Sequence, residues 1–374
     1  MGREPDRRFL IVVGEASGDR HAARLVRALR ALGPCTFRGV AGPALRAEGV
    51  GEAVPMESLA VLGFAEIVAR LPAILGARAT LLRELAAFRP DAVVLVDYPG
   101  FNLRLGPQIK RRGGRVFYYI APQVWAWHPE RAQAMARWVD LLAVVFRFEV
   151  PIFEAAGVAT EFVGHPLVDE LHVETDEAAL RRALDAGAER PLLGLLPGSR
   201  PQELSRHLAP MLETARLVRA RHPEVLPVLA LAPGLEAEVP AEAGIAVVHA
   251  RTHAVQAFAR ACVVASGTAT LETALFGTPL AIVYRVGALN YAIARRLVTI
   301  RRIGLPNIVC GEDVAPEFVQ EGFVPARVAG TVIPWLTDPA AHAAQAAPLA
   351  RVRTALGGEG ASGRAARALW TMTS

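Results

Sequence analysis

The stretch RFLIVVGEASGDRHAARLVRALRALG, residues 8–33, decides the fold class of this chain. Its first part contains the apolar run 9–13, which Gly14 closes, and it predicts a short buried strand. The second part, 19–33, places apolar residues on one helical face and ends in a glycine, which predicts a helix. A continuously apolar strand that leads directly into a helix is typical of a parallel sheet covered on both faces.

The same alternation of apolar runs and helical segments continues through both halves of the chain. Further strands are expected at 91–97, 115–122 and 140–146, and then at 192–197, 225–232, 245–250, 262–266 and 280–286. Residues 165–190 are polar and helical, which indicates a connection between domains, and a helix is expected at 201–221. The sequence therefore predicts an α/β protein with two Rossmann-like domains and a cleft between them, in which ligands bind at the carboxyl ends of the strands.

Composition restricts the classes of protein that this chain can represent. Of its 374 residues 52% are hydrophobic, so a large core is expected and disorder is not. The net charge of +5 is carried by arginine, since Lys110 is the only lysine, and it suits anionic ligands without indicating nucleic acid. The three cysteines form no CxxC pair, and no apolar stretch is long enough for a membrane span. We therefore expect a soluble or membrane-surface protein of a reducing compartment.

Two turns at strand ends in the first domain carry polar residues. In GEASGD, residues 14–19, two glycines bracket a turn from a strand into a helix, but the GxGxxG dinucleotide fingerprint is absent. Glu15 is costly there unless it meets water or a ligand, which favours a ligand site. The alternative is a tight turn with Asp19 as the helix N-cap. In VDYPGFN, residues 96–102, Asp97 is either a general base in a ligand crevice or a carboxylate that caps local N–H groups.

Two turns in the second domain have the pattern of a nucleotide site. In LLPGSRPQE, residues 195–203, free N–H groups at a helix start attract phosphate, and Arg200 can add a bidentate contact. In ASGTATLE, residues 265–272, small residues let a diphosphate approach the helix start, and Glu272 can accept hydrogen bonds from two ribose hydroxyls. The alternative for both is an ordinary helix start. In the first, Ser199 would be the N-cap and Glu203 its capping-box partner, which is compatible with a phosphate site, and in the second the helix dipole would favour a first-turn acid.

The segment LAVLGFAEIVARLPAIL, residues 59–75, has apolar residues at helical spacing. It is either a helix that faces the core or an apolar surface that dips into lipid. If it contacts lipid, the side chains involved are expected to be Val61, Phe64, Val68 and Leu71. A metal site is not expected, because His249 and His253 lack a clustered carboxylate partner.

Taken together and in order, these motifs resemble the lipid-A-disaccharide synthase family, which consists of inverting glycosyltransferases with the two-domain GT-B fold. Besides the four turns, the matching stretches are GFAEIV, YIAPQVWAW, FVGHPLVD and LPNIVCGEDVAPEFVQE, and the set covers roughly residues 9–322. Any one stretch is weak evidence, whereas the ordered set is specific.

The resemblance implies a reaction and a location. The family joins UDP-2,3-diacylglucosamine to 2,3-diacylglucosamine 1-phosphate (lipid X), which forms the β-1,6-linked lipid A disaccharide 1-phosphate and releases UDP. It requires no metal or other cofactor and works at the cytoplasmic face of the inner membrane of Gram-negative bacteria. The implied partners are therefore the two lipids and the membrane surface, without nucleic acid. The implied domains are an acceptor-binding domain over 1–170 and a UDP-sugar-binding domain over 171–345, followed by a helical tail over 346–374 whose role is open.

The resemblance also implies a role for the motif residues. Asp97 would be the base that takes the proton from the acceptor 6-hydroxyl, and Glu272 would hold the ribose. The other residues implied on the donor side are Gly198, Ser199, Arg200, Ser266, Gly267, Thr268 and Asn307. The acceptor side would be shaped by Glu15, Ser17 and Asn102.

Two alternatives to this function remain at the level of sequence. A UDP-sugar 2-epimerase on the same fold would bind one soluble nucleotide sugar and would need no apolar surface such as 59–75. A non-catalytic nucleotide or lipid-phosphate binding protein would need the phosphate loops but no carboxylate at position 97.

Overall fold

A computed structural model of the chain describes residues 6–59, 71–124, 130–287 and 302–374. The chain divides into two compact units, of which one comprises Met1–Asp169 with Gly357–Ser374 and the other comprises Glu170–Leu356. Each unit is built around one parallel β-sheet, of seven strands in the first and six in the second. The predicted architecture of two α/β domains is confirmed.

The first unit alternates strands and helices along the chain. Its strands are β1 (Arg7–Val12), β2 (Cys35–Ala41), β3 (Gly51–Pro55), β4 (Ala92–Val96), β5 (Val116–Tyr119), β6 (Leu141–Val144) and β7 (Thr160–Phe162). Its helices are α1 (Ala16–Arg30), α2 (Pro43–Ala47), α3 (Leu71–Phe88), α4 (Pro99–Lys110), α5 (Glu130–Met135) and α6 (Glu149–Ala155), and α7 (Leu167–Glu170) follows at the boundary.

The second unit repeats this alternation. Its strands are β8 (Leu192–Leu196), β9 (Leu226–Leu231), β10 (Ala246–His249), β11 (Ala261–Ala265), β12 (Leu280–Tyr284) and β13 (Glu317–Val319). Its helices are α8 (Glu177–Ala183), α9 (Pro201–Arg221), α10 (Thr252–Phe258), α11 (Thr268–Leu275), α12 (Leu305–Cys310), α13 (Pro325–Thr337), α14 (Pro339–Ala346) and α15 (Ala350–Ala355). The predicted helix at 201–221 is confirmed at both ends.

The two sheets have the same topology. The strand order is β3-β2-β1-β4-β5-β6-β7 in the first and β10-β9-β8-β11-β12-β13 in the second, with every pair parallel. The order reverses between β1 and β4 and again between β8 and β11. Open parallel sheets bind ligands outside the carboxyl ends of the strands at such a reversal, so each unit has one expected binding edge.

Burial explains which strands were predictable. Every residue of β4, β8 and β11 is buried, because helices cover both faces of the sheet, and these strands are therefore continuously apolar in the sequence. Each fully buried Val or Leu side chain contributes about 1.5–3 kcal/mol. The edge strands β3, β7 and β13 were not predicted, since they are short and partly solvated. The inner strand β2 was also missed, because Arg38 and Gly39 interrupt its apolar pattern.

The last helix, α16 (Ala361–Met372), belongs to the first unit. The carboxylate of Asp169 accepts hydrogen bonds from the N–H groups of Gly360 and Ala361, at 2.7 and 3.0 Å, and so caps the start of this helix. At the other end, the Arg7 guanidinium lies 3.8 Å from the centre of the Trp370 ring and donates to its carbonyl. The predicted tail is thus divided, because α15 remains in the second unit.

Candidate functional site

Four loops leave the sheets at the points where the strand order reverses, and they contain the four turn motifs of the sequence. In the first unit, β1 leads through 13–15 into α1, and β4 leads through 97–98 into α4. In the second unit, β8 leads through 197–200 into α9, and β11 leads through 266–267 into α11. Because β1 pairs with β4 and β8 pairs with β11, each pair of loops emerges at one edge of its own sheet.

The chain turns sharply at the end of β4. Asp97 and Tyr98 both have a left-handed backbone, with φ of 45° and 46°, which costs energy in residues other than glycine. Two side chains hold this turn, since Asn102 Nδ2 and Tyr118 Oη donate to the carbonyl oxygen of Asp97 at 2.8 and 2.7 Å. These bonds fix the backbone of Asp97 and therefore the place of its carboxyl group.

The Asp97 carboxyl group has the proton affinity of a general base. Burial raises the pKa of Asp97 to about 6, and repulsion from Glu15 adds to the rise. A hydrogen bond from the Tyr98 backbone and the charge of His21 act in the opposite direction and lower this pKa. A base is most effective when its pKa lies near the working pH, because it is then both ionised and able to hold the transferred proton.

Tyr98 joins the two loops of the first unit. Its hydroxyl donates to Leu59 O at 2.7 Å, and its ring lies over Gly14. A Cβ built at position 14 would lie 2.2 Å from ring carbons of Tyr98, so this contact requires glycine. The GEASGD turn is therefore packed directly against the turn that carries Asp97.

The polar residues at the start of α1 differ in exposure and in hydrogen bonding. Glu15 is the N-cap residue of α1 and is exposed, and Ser17 is half-buried in the first turn of that helix. Asp19 is only 2% exposed, and its carboxylate accepts hydrogen bonds from the N–H groups of Gly42, Ala44 and Leu45. The alternative of Asp19 as the cap of its own helix is therefore wrong, because this residue caps α2.

Two asparagines that the sequence assigned to ligand contact are buried. Asn102 is fully buried and holds the Asp97 carbonyl. Asn307 is 1% exposed, donates to Ala315 O and Glu317 Oε1, both at 2.7 Å, and accepts from Ala315 N–H at 2.9 Å. The Asn102 Nδ2 group thus binds the Asp97 carbonyl, and the Asn307 amide binds Ala315 and Glu317.

The loop after β8 leads into a capped helix start. The Glu203 carboxylate accepts hydrogen bonds from the N–H groups of Ser199 and Arg200, at 2.9 and 3.3 Å, and pairs with the Arg200 guanidinium at 2.8 Å. Gly198 has φ of 113°, and a Cβ there would lie 2.4 Å from Glu203 Oε2, so glycine is required. The N–H groups of Ser199 and Arg200 are therefore occupied, and Glu203 is the expected partner in a capping box, with Arg200 rather than Ser199 as the N-cap residue. A phosphate contact from this loop would depend on the Arg200 side chain, which is 76% exposed.

A buried histidine that the sequence did not single out supports this loop. His207 lies on α9, is fully buried, and its Nδ1 is 2.8 Å from Pro197 O. Its Nε2 accepts a hydrogen bond from the N–H of Arg285 at 2.9 Å. These partners fix the neutral tautomer with the proton on Nδ1, and burial lowers the pKa of His207. The ring therefore connects the end of β8 to the end of β12.

The loop after β11 is open on the side where a ligand was expected. Gly267 is the N-cap residue of α11 with φ of 154°, and no atom lies within 4 Å of the place that its Cβ would take. Ser266 Oγ donates to Ile303 O at 2.9 Å, and Thr268 is exposed. Thr270 donates to Gly267 O at 2.7 Å and so belongs to the helix start itself. The loop therefore presents Gly267 and Thr268 to solvent.

Glu272 lies one turn into α11 in a polar cluster. Its Oε2 accepts a hydrogen bond from Gln256 Nε2 at 3.1 Å and lies 3.6 Å from His253 Nε2. Nδ1 of His253 is 3.5 Å from Glu174 Oε1. The expectation that His253 lacks carboxylate partners is therefore wrong. Within the part of the chain that the structure describes, no group of three or more His, Cys, Asp or Glu side chains is placed to hold a metal ion.

The apolar segment 59–75 is described only at its ends. Val61, Phe64 and Val68 lie outside the described residues. From Leu71 the chain is helical, and α3 continues beyond Pro72 to Phe88 with Leu71 and Leu75 each 44% exposed. None of the helices in the described ranges is long and apolar enough to cross a membrane.

Two doubly wound parallel sheets, each with polar loops at its strand reversal, define the class of two-domain α/β enzymes with the GT-B fold. The chain belongs to the lipid-A-disaccharide synthase family, because the profile described as lipid-A-disaccharide synthetase matches residues 9–356. It is 42% identical over 373 residues to the lipid-A-disaccharide synthase of Geobacter metallireducens, covering 98% of this chain and 97% of that protein. It is 43% identical over 378 residues to that of Trichlorobacter lovleyi, with the same coverage. The chain is therefore a glycosyltransferase of lipid A biosynthesis.

Solved structures with low sequence identity share the architecture. A putative UDP-N-acetylglucosamine 2-epimerase from Listeria monocytogenes superposes with a TM-score of 0.65 at 15% identity, over 98% of this chain and 95% of that one. The glycotransferase of kitacinnamycin superposes with a TM-score of 0.63 at 18% identity, over 99% of both chains. At these identities the likeness concerns the fold alone. The family match therefore decides between transferase and epimerase.

Proposed function

We propose that this chain joins UDP-2,3-diacylglucosamine to 2,3-diacylglucosamine 1-phosphate and releases UDP, with Asp97 as the general base. The observation that carries the proposal is the Asp97 carboxyl group, held at the strand reversal of the first sheet with its pKa raised to about 6. Family membership supports the choice of substrates. A protein that only binds nucleotides or lipid phosphates has no need of a base in this position.

The proposed step balances without a covalent enzyme intermediate. The 6-hydroxyl oxygen of the acceptor forms a bond to the anomeric carbon of the donor, and the bond from that carbon to the diphosphate oxygen breaks. The hydroxyl proton passes to the carboxylate of Asp97, and UDP leaves with the electron pair. One displacement inverts the configuration at the anomeric carbon, which accounts for a β-1,6 product. A positioned base of this kind contributes about 10²–10⁴-fold to the rate.

The second unit is proposed to hold the UDP part of the donor. The exposed Arg200 guanidinium, on the same loop as Gly198 and Ser199, stabilises the charge that develops on the leaving diphosphate. The loop of Ser266, Gly267 and Thr268 surrounds the same diphosphate, which its exposed residues and the open space at Gly267 support. Glu272 accepts hydrogen bonds from the ribose hydroxyls.

The acceptor side is assigned to the first unit. Glu15 lies on the loop that packs against Tyr98, and Ser17 lies in the first turn of the helix that follows, so both are close in sequence to this contact. Asn102 acts here as a positioning residue, since its amide holds the Asp97 carbonyl. Asn307 is proposed as a positioning residue on the donor side. Its amide donates to the Glu317 carboxylate, which also accepts from Ile303 N–H. The carbonyl of Ile303 in turn accepts from Ser266 Oγ, so Asn307 is connected to the loop after β11.

The membrane contact is proposed to include the start of α3. Both substrates carry acyl chains, so the enzyme must reach them at a membrane surface, and we place it at the cytoplasmic face of the inner membrane. The exposed Leu71 and Leu75 side chains support this surface. Val61, Phe64 and Val68 complete the hypothesis from the sequence.

A product assay tests the proposed function. The full chain is incubated with both lipids, and release of UDP and of the disaccharide is measured, in parallel with a reaction that contains the donor alone. We expect turnover only with both substrates, and a loss of about 10²–10⁴-fold in Asp97→Asn. Asp91→Asn is a matched control, because Asp91 lies exposed at the opposite end of β4. Conversion of the donor alone would show an epimerase, and near-normal turnover in Asp97→Asn would remove the assignment of the base.

A further inference from the structure

The carboxylate proposed to hold the ribose is itself held from behind by helix α10. Gln256, on this helix, is fully buried, and its Nε2 donates both to Ala269 O at 3.0 Å and to Glu272 Oε2 at 3.1 Å. His253, one turn earlier, places Nε2 3.6 Å from the same oxygen. Both side chains therefore converge on Oε2 of Glu272.

The ring of His253 is surrounded by oxygen acceptors. Nδ1 lies 2.8 Å from His172 O and 3.5 Å from Glu174 Oε1, and Nε2 faces Glu272 Oε2. All three neighbours are oxygen acceptors, so a doubly protonated ring can interact favourably with them on both sides. The charged and titratable groups facing the ring are Glu272 from α11 and Glu174 and His172 from the segment before α8. The two carboxylates and the His172 carbonyl raise the pKa of His253, and burial opposes them.

The position of His253 is set by the backbone as well as by the ring. The Glu174 carboxylate accepts hydrogen bonds from the N–H groups of His253 and Ala254, at 3.1 and 2.9 Å. The start of α10 is therefore hydrogen-bonded to the segment before α8, which contains Glu174. Thr278 Oγ1 donates to the carbonyl of Gln256 at 2.6 Å, which ties the other end of the helix to the turn after α11.

The two carboxylate oxygens of Glu272 have different surroundings. Oε2 is bound by Gln256 and paired with His253. Among the residues that the structure describes, none makes a hydrogen bond to Oε1. A carboxylate held in this way keeps one oxygen available for new donors and loses little side-chain entropy when they bind.

We propose that His253 and Gln256 are positioning residues that fix Glu272 Oε2 and thereby direct Oε1 to the vicinal hydroxyls of a ribose. The inference rests on the proposed ribose contact of Glu272 and extends it to two residues that do not touch the ligand. It predicts that the preference for a ribonucleotide over its 2′-deoxy analogue depends on His253. When it is protonated, the His253 ring also offsets the charges of Glu272 and Glu174, which would otherwise repel an anionic nucleotide.

Calorimetry of the full chain with UDP and with 2′-deoxy-UDP tests this inference. In the unsubstituted protein, loss of the 2′-hydroxyl is expected to weaken binding by about tenfold, as does loss of one hydrogen bond to a charged group. His253→Ala is expected to weaken UDP by about tenfold and to bring the ratio of the two dissociation constants close to one. His253→Gln keeps a donor towards Glu272 and is expected to recover part of both effects. His249→Ala is the matched control, since this exposed histidine lies four residues earlier and away from Glu272.

A double-mutant cycle separates this inference from the proposed function. If His253 acts through Glu272, the variant with both Glu272→Ala and His253→Ala binds UDP no more weakly than Glu272→Ala alone. Unchanged UDP affinity in Glu272→Ala would overturn the ribose contact itself. Two results would overturn the proposal that His253 positions Glu272, provided that Glu272→Ala weakens UDP binding. One is that His253→Ala keeps the original ratio of the dissociation constants for UDP and 2′-deoxy-UDP. The other is that the effects of the two substitutions on UDP binding add in the double variant. If His253→Ala does not fold, Gln256→Leu replaces it. The ratio of the dissociation constants for UDP and 2′-deoxy-UDP is then measured for Gln256→Leu, and the double-mutant cycle pairs this variant with Glu272→Ala.

Discussion

The Asp97 carboxyl group is expected to lower the stability of the protein in which it serves as a base. In the folded protein its pKa is raised from 3.8 to about 6, so the folded state binds the proton more tightly than the unfolded chain does. Stability from this group is therefore fully present below pH 3.8 and is lost as the pH rises through about 6. Above that pH the folded protein holds an ionised carboxylate in a place that favours the neutral form.

Asp97→Asn should consequently stabilise the protein at neutral pH. A shift of about two pKa units, at about 1.4 kcal/mol for each, corresponds to a gain of up to ~3 kcal/mol at pH 7. For a unit of this size the melting temperature would rise by up to roughly 6–12 °C. At pH 4 the gain should fall well below ~1 kcal/mol, because the folded carboxyl group is then protonated. Denaturant unfolding of both proteins at pH 7 and pH 4 measures the difference.

Asp19→Asn, in the same unit, is a control that should change the free energy of unfolding in the opposite direction. Asp19 accepts three backbone N–H bonds while buried, so Asp19→Asn should destabilise the protein at pH 7. The reasoning is refuted if Asp97→Asn is less stable than the parent at pH 7, or if its gain is the same at pH 4. Either result would mean that the carboxylate is stabilised where it lies, and its pKa would then not be raised.

Four further predictions concern activity and binding. The kcat/KM for disaccharide formation should fall as the pH drops through about 6, as protonation removes the Asp97 base, and a flat profile between pH 5 and 8 would contradict it. Arg200→Ala should weaken UDP binding by about 1.5–3 kcal/mol in calorimetry, while an unchanged affinity would exclude a guanidinium–diphosphate contact. Gly14→Ala should displace the Tyr98 ring and cost about 1–3 kcal/mol in denaturant unfolding, whereas Gly100→Ala, which has no atom within 4 Å of the new Cβ, should not. Replacing Leu71 and Leu75 by serine should reduce sedimentation with vesicles of anionic phospholipid and leave the melting temperature unchanged, and equal sedimentation would exclude this surface.

The sequence by itself determined the architecture and the location of the polar loops at the strand reversals. Runs such as 92–96 and 261–265 are apolar throughout because parallel strands are buried on both faces, and this pattern is local enough to be recognised in the order of residues. Turn residues at the strand ends, such as those around Gly14 and Gly198, were recognisable for the same reason. Edge strands such as β7 were missed, since partial solvation removes the apolar run on which the prediction depends.

Tertiary structure decided what the polar residues at those turns contact. Asp19 caps α2 rather than its own helix, and the N-cap residue of the capping box that Glu203 closes is Arg200 rather than Ser199. Asn102 and Asn307 are turned inward.

The partnership of His253 and Glu272 was also beyond the sequence, because these residues lie on different helices and Glu174 approaches from a third segment. A side chain of three or four bonds can reach several neighbours with similar energy. Its partner is chosen only when distant segments are brought together, and periodicity along the chain carries no information about that choice.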